Sequence, residues 1–235
     1  MVSGAPRPES RVPVIAVDGP SGAGKGLVTR MLAERLGWHR LDSGALYRVL
    51  ALAAQDAGIE LQDGVAVAAL APQLAIEFAG RQESDERILV NGQDWTARVR
   101  AETAGDLASR IAALPEVRAA LLQRQRDFRR PPGLVADGRD MGTVVFPDAR
   151  LKIFLDASAE ARARRRKLQL SEQGVDANLI DLCVEVRARD ARDRSRAVAP
   201  LAVAADAVVL DTTQMKPAEV LAAIEALLRQ RGLLD

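Results

Sequence analysis

Short apolar runs punctuate this chain at wide intervals, and between them apolar residues recur every three or four positions. Val14-Ile15-Ala16-Val17, Leu134-Val135-Ala136, Leu151-Lys152-Ile153-Phe154-Leu155 and Val208-Val209-Leu210 are short, largely continuous runs, as expected of strands buried on both faces. Helical spacing follows the first in Val28, Met31, Leu32 and Leu36, and the last in Leu221, Ile224, Leu227 and Leu228. Gly37 suits the left-handed position that ends the first helix. Asp42-Ser43-Gly44 reads as a helix entry with Asp42 or Ser43 as cap, and that helix runs through Tyr47, Leu50 and Leu52 to Gly58. Helical patterns also cover Glu102 to Ala113, the stretch opened by Pro115 that carries Val117, Leu121, Leu122 and Phe128, and a final segment from Pro217 to Arg231. Strand, loop and helix in repetition predict an α/β fold of three layers, α/β/α, around a parallel core sheet.

Two stretches depart from that rhythm. Leu74-Ala75-Ile76-Glu77-Phe78 alternates at period two; Ile88-Leu89-Val90 then meets Asn91-Gly92, a tight-turn pair, and Gln93-Asp94-Trp95 continues beyond it. This predicts a small antiparallel insert over residues 72–100. From Ser158 the chain is helical and basic, with a break at Gly174. Between residues 162 and 196 there are ten basic and six acidic side chains, a surplus of +4 in a chain of net charge +1. A solvated, salt-bridged helical hairpin is the plain reading. The surplus also suits a lid that closes over phosphates. The expected organisation is a loose tail at 1–11 and one domain at 12–235. That domain comprises a core (12–71, 101–160, 197–235), the insert (72–100) and a lid (161–196).

Composition narrows the classes. Near-neutral charge implies no bulk attraction to nucleic acid or membrane. There is no apolar run long enough to span a bilayer and no signal-like N-terminal segment. The single cysteine, Cys183, excludes an internal disulfide and fits the reducing cytoplasm. Its neighbours Leu179, Ile180, Leu182 and Val186 predict a core thiol rather than a nucleophile. The one histidine, His39, beside Trp38 at a strand start, reads as structural.

The candidate chemistry lies at strand ends. Gly19-Pro20-Ser21-Gly22-Ala23-Gly24-Lys25-Gly26 reads G-x-x-x-x-G-K between a strand and a helix. Such a loop curls its backbone N–H groups round an anion, the helix adds the positive end of its dipole, and the lysine supplies a mobile charge. The pattern predicts binding of a nucleoside polyphosphate. Ser43, Tyr47 and Arg48 sit near the first turn of the next helix, where a second anion could be held. Asp137-Gly138-Arg139-Asp140-Met141-Gly142 follows a strand, and two carboxylates with an arginine there suit a metal–phosphate site. Ser109 and Arg118, on the later helices, read as ordinary surface residues from periodicity alone.

At this point the chain resembles the nucleoside monophosphate kinases, and more narrowly the bacterial cytidylate kinases. The resemblance rests on the loop with its Gly-Lys-Gly ending, on Leu41-Asp42-Ser43-Gly44-Ala45-Leu46-Tyr47-Arg48, and on Ala136 through Pro147. It also rests on Arg189-Asp190 and Arg196-Ala197-Val198-Ala199-Pro200-Leu201, and it covers the chain from Val12 to the last helix. It implies phosphoryl transfer from ATP to CMP or dCMP with magnesium, by a monomer. On this resemblance Ser109, Arg118 and Asp140 would read cytosine. Arg189 and Asp193 would hold the sugar, with Arg196 close to base and sugar. Ser43, Arg48 and Arg139 would hold the monophosphate. Lys25 and the lid arginines Arg162, Arg165 and Arg166 would act on the ATP phosphates, and Asp137 would be a water-mediated partner of the metal.

One position departs from the family. The loop continues with Leu27 where a Thr or Ser is usual, and Thr29 would point about 200° away on a helix. Two other classes share the loop: a small-metabolite kinase of shikimate type, and a non-catalytic nucleotide-binding module. The first would not carry the 72–100 insert. A guanine-reading Asn-Lys-x-Asp or Thr-Lys-x-Asp motif, as expected of a GTPase switch, does not occur.

Overall fold

The computed structural model describes residues 12–80, 86–172 and 174–234, so the expected tail at 1–11 lies outside the described residues. Strand β1 (Val14–Asp18) passes through the glycine-rich loop into α1 (Lys25–Leu36), and β2 (His39–Asp42) passes into α2 (Ser43–Asp56). Helix α3 (Gly64–Leu70) precedes three short strands, β3 (Ile76–Ala79), β4 (Arg87–Val90) and β5 (Gln93–Asp94). Helices α4 (Thr96–Arg100), α5 (Glu102–Ile111) and α6 (Pro115–Arg126) lead back to β6 (Leu134–Gly138) and β7 (Leu151–Asp156). The basic hairpin α7 (Ala159–Glu172) and α8 (Leu179–Arg194) follows, then β8 (Val208–Asp211) and α9 (Pro217–Gln230).

Five strands form one parallel sheet in the order β2-β6-β1-β7-β8. Alternation along β1 serves both faces. Ile15 and Val17 pack with Val28 and Leu32 of α1 and with Ile224 and Leu228 of α9. Val14 and Ala16 pack on the other face with Leu41, Leu46, Met141 and Phe146. A third cluster joins α2, α3, α5 and α6 to the small antiparallel sheet through Leu50, Ile111, Val117, Ile88 and Val90. Antiparallel pairing at β3–β4–β5 follows the tight turn at Asn91-Gly92, where both residues take positive φ. The N-cap of α2 is Asp42, whose carboxylate accepts from Ala45 N at 3.0 Å.

Register puts chemistry at one end of the sheet. Asp18 pairs with Gly138, and Asp137 sits level with Val17 on one side and Asp42 on the other. Three carboxylates and the phosphate loop therefore share the C-terminal edge, where open α/β sheets bind ligands.

Local structure differs from expectation in three places. Helices α3 and α4 have too few residues to show a helical period in sequence. Met141–Val145 forms one wide turn, with Phe146 N donating to Met141 O at 2.7 Å. Cys183 is half-buried rather than a core thiol, because of its four apolar neighbours only Leu182 is buried and Ile180 is exposed. Helix α8 packs mainly on α7, so its apolar stripe is narrow. His39 is structural as expected, its ring nitrogen 2.9 Å from Pro131 O.

Candidate active site

The loop between β1 and α1 is shaped by glycines in left-handed backbone. Gly22 has φ +78° and Gly24 has φ +91°, conformations that L side chains rarely adopt. Gly24 is also the N-cap of α1 and supplies no capping side chain, so the first N–H groups of the helix remain available to an anion. Lys25 folds back and donates from Nζ to Pro20 O at 2.8 Å. Burial lowers its pKa to about 7, nearby Arg139 adds to the fall, and Asp137 and Asp18 oppose it.

Asp137 is buried, and burial raises its pKa against the pull of Lys25. One of its oxygens lies 3.6 Å from where a side chain on Gly26 would begin, so the carboxylate faces the phosphate loop. Among the described residues no group of three or more His, Cys, Asp or Glu could cage a metal. One buried carboxylate beside a phosphate loop fits magnesium, which takes most of its oxygens from phosphates and water. Leu27 places no oxygen here. Thr29 is buried and turns inward, its Oγ1 3.3 Å from Gly26 O, as the helical spacing predicts.

A second cluster lies across the sheet edge. Ser109 and Arg118 are buried, contrary to the surface reading of their periodicity: α5 packs on α2, and α6 turns Arg118 toward Asp140 after β6. Arg118 pairs with Asp140, also donates to Ala112 O at 3.3 Å, and stands over the Tyr47 ring at 5.9 Å. Burial raises the Asp140 pKa, while Arg118 and Arg196 oppose the rise. Arg139 Nε donates to Asp193 Oδ2 at 2.9 Å, and Arg196 pairs with the other oxygen, so one carboxylate of α8 binds two arginines. Ser43 Oγ donates to Gln125 Oε1 at 2.8 Å, and Arg48 donates to Val99 O at 2.9 Å. Ser109 Oγ, Arg189 Nε and Arg196 Nε are buried without hydrogen-bond partners. Buried polar atoms left unpaired together point to a polar ligand.

The three lid arginines separate. Arg162 is buried in a bidentate pair with Asp190 (2.9 and 2.6 Å) and donates to Ser21 O at 3.1 Å. Arg165 reaches Gly22 O at 3.4 Å and also bonds Thr212. Arg166 instead pairs with Glu102 of α5, spanning lid to acceptor-side helix rather than touching the loop. Sequence reasoning assigned no role to Asp18, Gln125, Asp190 or Thr212, although Asp190 stands in a stretch that carries the resemblance. Asp18 carried a signal of its own, as a carboxylate on the last residue of a strand entering the loop. Gln125 looks like any helical glutamine until its burial is seen.

A phosphate loop with a buried lysine, a parallel sheet and an arginine-rich hairpin define a P-loop phosphotransferase. The comparisons then narrow the class: the cytidylate kinase family model matches residues 15–230, and the chain belongs to that family. It is 56% identical to a cytidylate kinase of Aeromonas salmonicida over 93% of this chain and 95% of that one. It is 56% identical to a cytidylate kinase of Methylococcus capsulatus, over 91% of this chain and 95% of that one. With a cytidylate kinase of Stutzerimonas stutzeri the identity is 57%, over 94% of this chain and 97% of that one.

Proposed function

We propose that this protein transfers the terminal phosphoryl group of ATP to CMP or dCMP, giving ADP and CDP or dCDP. The observation that carries the reading is the buried Arg118–Asp140 pair, together with the buried and unpartnered hydroxyl of Ser109. Cytosine presents an amino donor next to ring acceptors. Asp140 accepts from the amino group, while Arg118 and Ser109 donate to the acceptors. Uracil offers a carbonyl where cytosine offers the amino group, and an ionised Asp140 repels it.

Arg189 and Asp193 hold the sugar, with Arg196 between sugar and base. Ser43, Arg48 and Arg139 hold the acceptor phosphate. Its oxygen is already ionised at neutral pH, so the attack needs no general base. Alignment of two polyanions and neutralisation of the transferring group are what remain. Lys25 supplies a charge that is poorly compensated before ATP binds. The planar forks of Arg139 and Arg165 pair oxygens two at a time. Arg162, already committed to Asp190 and Ser21 O, fixes the lid on the loop. Pairs Arg166–Glu102 and Arg192–Asp106 draw the lid across the acceptor side, which shuts out water.

Asp137 would hold a magnesium ion through water, and the ion would supply positive charge to offset that of the phosphates. A single half-buried thiol suits a reducing cytoplasm, and among the described residues no helix is long and apolar enough to cross a membrane.

Coupled ADP release tests the reading across CMP, dCMP, UMP, AMP and shikimate. CMP and dCMP should give the fastest release. Release with shikimate alone, or with none of the five, contradicts it.

A further inference from the structure

Asp18 is the last residue of β1, immediately before the phosphate loop. It is 4% exposed, and neither of its oxygens faces the loop alone. Oδ1 accepts from Met141 N and Oδ2 from Gly142 N, both at 2.8 Å and across 123 and 124 residues of chain. Those two N–H groups open the wide turn that follows Arg139 and Asp140. One carboxylate at the entry to the donor loop thus fastens the two residues after the proposed acceptor readers.

The packing leaves little play. A side chain on Gly142 would meet Lys152 Cδ at 3.1 Å and Asp18 Oδ2 at 3.4 Å. Lys152 cannot swing clear freely, because its Nζ is tied to Asp206 at 2.9 Å. A side chain on Gly138 would meet Met141 at 2.8 Å. The turn is therefore gripped from the Asp18 side, from the Lys152 side and from its own first residue. Backbone N–H groups bonded in pairs by an acid define a direction as well as a distance.

We infer that Asp18 is a positioning residue that sets the acceptor readers Arg139 and Asp140 in register with the phosphate loop and Lys25. The inference rests on the proposed function for what those readers bind. Small displacements of a reacting pair are costly, so a carboxylate that touches neither nucleotide can still govern the rate. An amide at position 18 accepts one of the two N–H groups and turns its own N–H toward the other. That tilts the turn while leaving the glycines of the loop in place.

The test is steady-state kinetics of Asp18→Asn and, independently, of Gly142→Ala, with ATP and CMP varied in turn. Gly142→Ala crowds the same turn against Lys152, next to Asp18, without altering the loop strand. Both variants should raise the KM for CMP about tenfold or more and lower kcat, with the KM for ATP within about twofold of wild type. Circular dichroism establishes that each variant is folded. If Asp18→Asn does not fold, Gly142→Ala decides by the same readout. Equal rises in both KM values, or no change in either, overturn the inference. A wild-type protein that does not phosphorylate CMP refutes the functional reading instead.

Discussion

At the scale of single residues, burial sets the charge states of the site. Lys25 is the clearest case. Burial lowers its pKa to about 7, whereas an unfolded lysine titrates near 10.5. Below neutrality the folded state must hold a buried charge, and that penalty fades as pH rises toward the unfolded value. Lys25→Met should therefore stabilise the nucleotide-free protein, by more at pH 6 than at pH 9, as read from urea unfolding. The same variant should lose about a hundredfold or more in kcat, since the lost charge acts on the transferring group.

Asp140 gives a second pH effect. Burial raises its carboxyl pKa. Acid pH adds the proton that turns an acceptor into a donor. Discrimination between CMP and UMP should fall as pH drops from 8 to 5.5, as measured by the ratio of kcat/KM values. A flat ratio would show that Asp140 does not read the amino group.

These residues were unevenly legible in the sequence. The glycines and Lys25 were legible because backbone geometry demands them at fixed spacing. The burial of Ser109 and Arg118 was not legible from periodicity; that of Arg118 depends on Asp140, 22 residues away. Asp18 showed only as a carboxylate ending a strand at the loop, since its N–H partners are over a hundred residues away.

At the scale of elements, α1 and the α7–α8 hairpin set how the donor is held. The first turn of α1 carries Leu27 where a hydroxyl is usual, and Thr29 is turned inward. Leu27→Thr should raise turnover and lower the magnesium concentration needed for half-maximal rate. Unchanged rate and metal dependence would leave Leu27 without a role. In the hairpin, Arg162 and Asp190 form a buried pair with side chains 4% and 11% exposed. Asp190→Ala leaves an uncompensated buried guanidinium and should destabilise the protein by about 3–5 kcal/mol. A loss under about 1 kcal/mol, read from denaturant midpoints, would mean that Arg162 finds another partner.

Strands β1, β6 and β7 were readable as short, nearly continuous runs, because both their faces are covered. The edge strands differ: β2 holds one buried apolar residue, Leu41, and β8 leaves Val209 53% exposed. Helices α3 and α4 were not, since seven and five residues are too few to show a helical period. The wide turn at Met141–Val145 was also invisible in sequence. Its shape follows from Asp18 and from the packing of Gly138 against Met141, neither of which is local to the pattern.

At the scale of the molecule, the proposed reaction spans one sheet edge. Its proposed donor half is the loop, Lys25 and Asp137, and its proposed acceptor half lies on α2, α5, α6 and α8. The lid spans them through Arg162 on the loop side and Arg139–Asp193–Arg196 on the acceptor side. Fold class and reaction class were legible because several motifs pointed to one end of one sheet. The division of labour among the arginines was not. Sequence shows a surplus of +4, but not which guanidiniums are already occupied by Asp190, Asp193 or Glu102.

The central claim is that a buried arginine–aspartate pair selects cytidine monophosphate. Its most direct test is the ratio of kcat/KM for CMP over UMP in wild type and in Asp140→Ala. Loss of a charge-assisted hydrogen bond should reduce that ratio by about 10- to 100-fold, with the KM for ATP little changed. An unchanged ratio, or a wild-type preference for UMP, would contradict the claim.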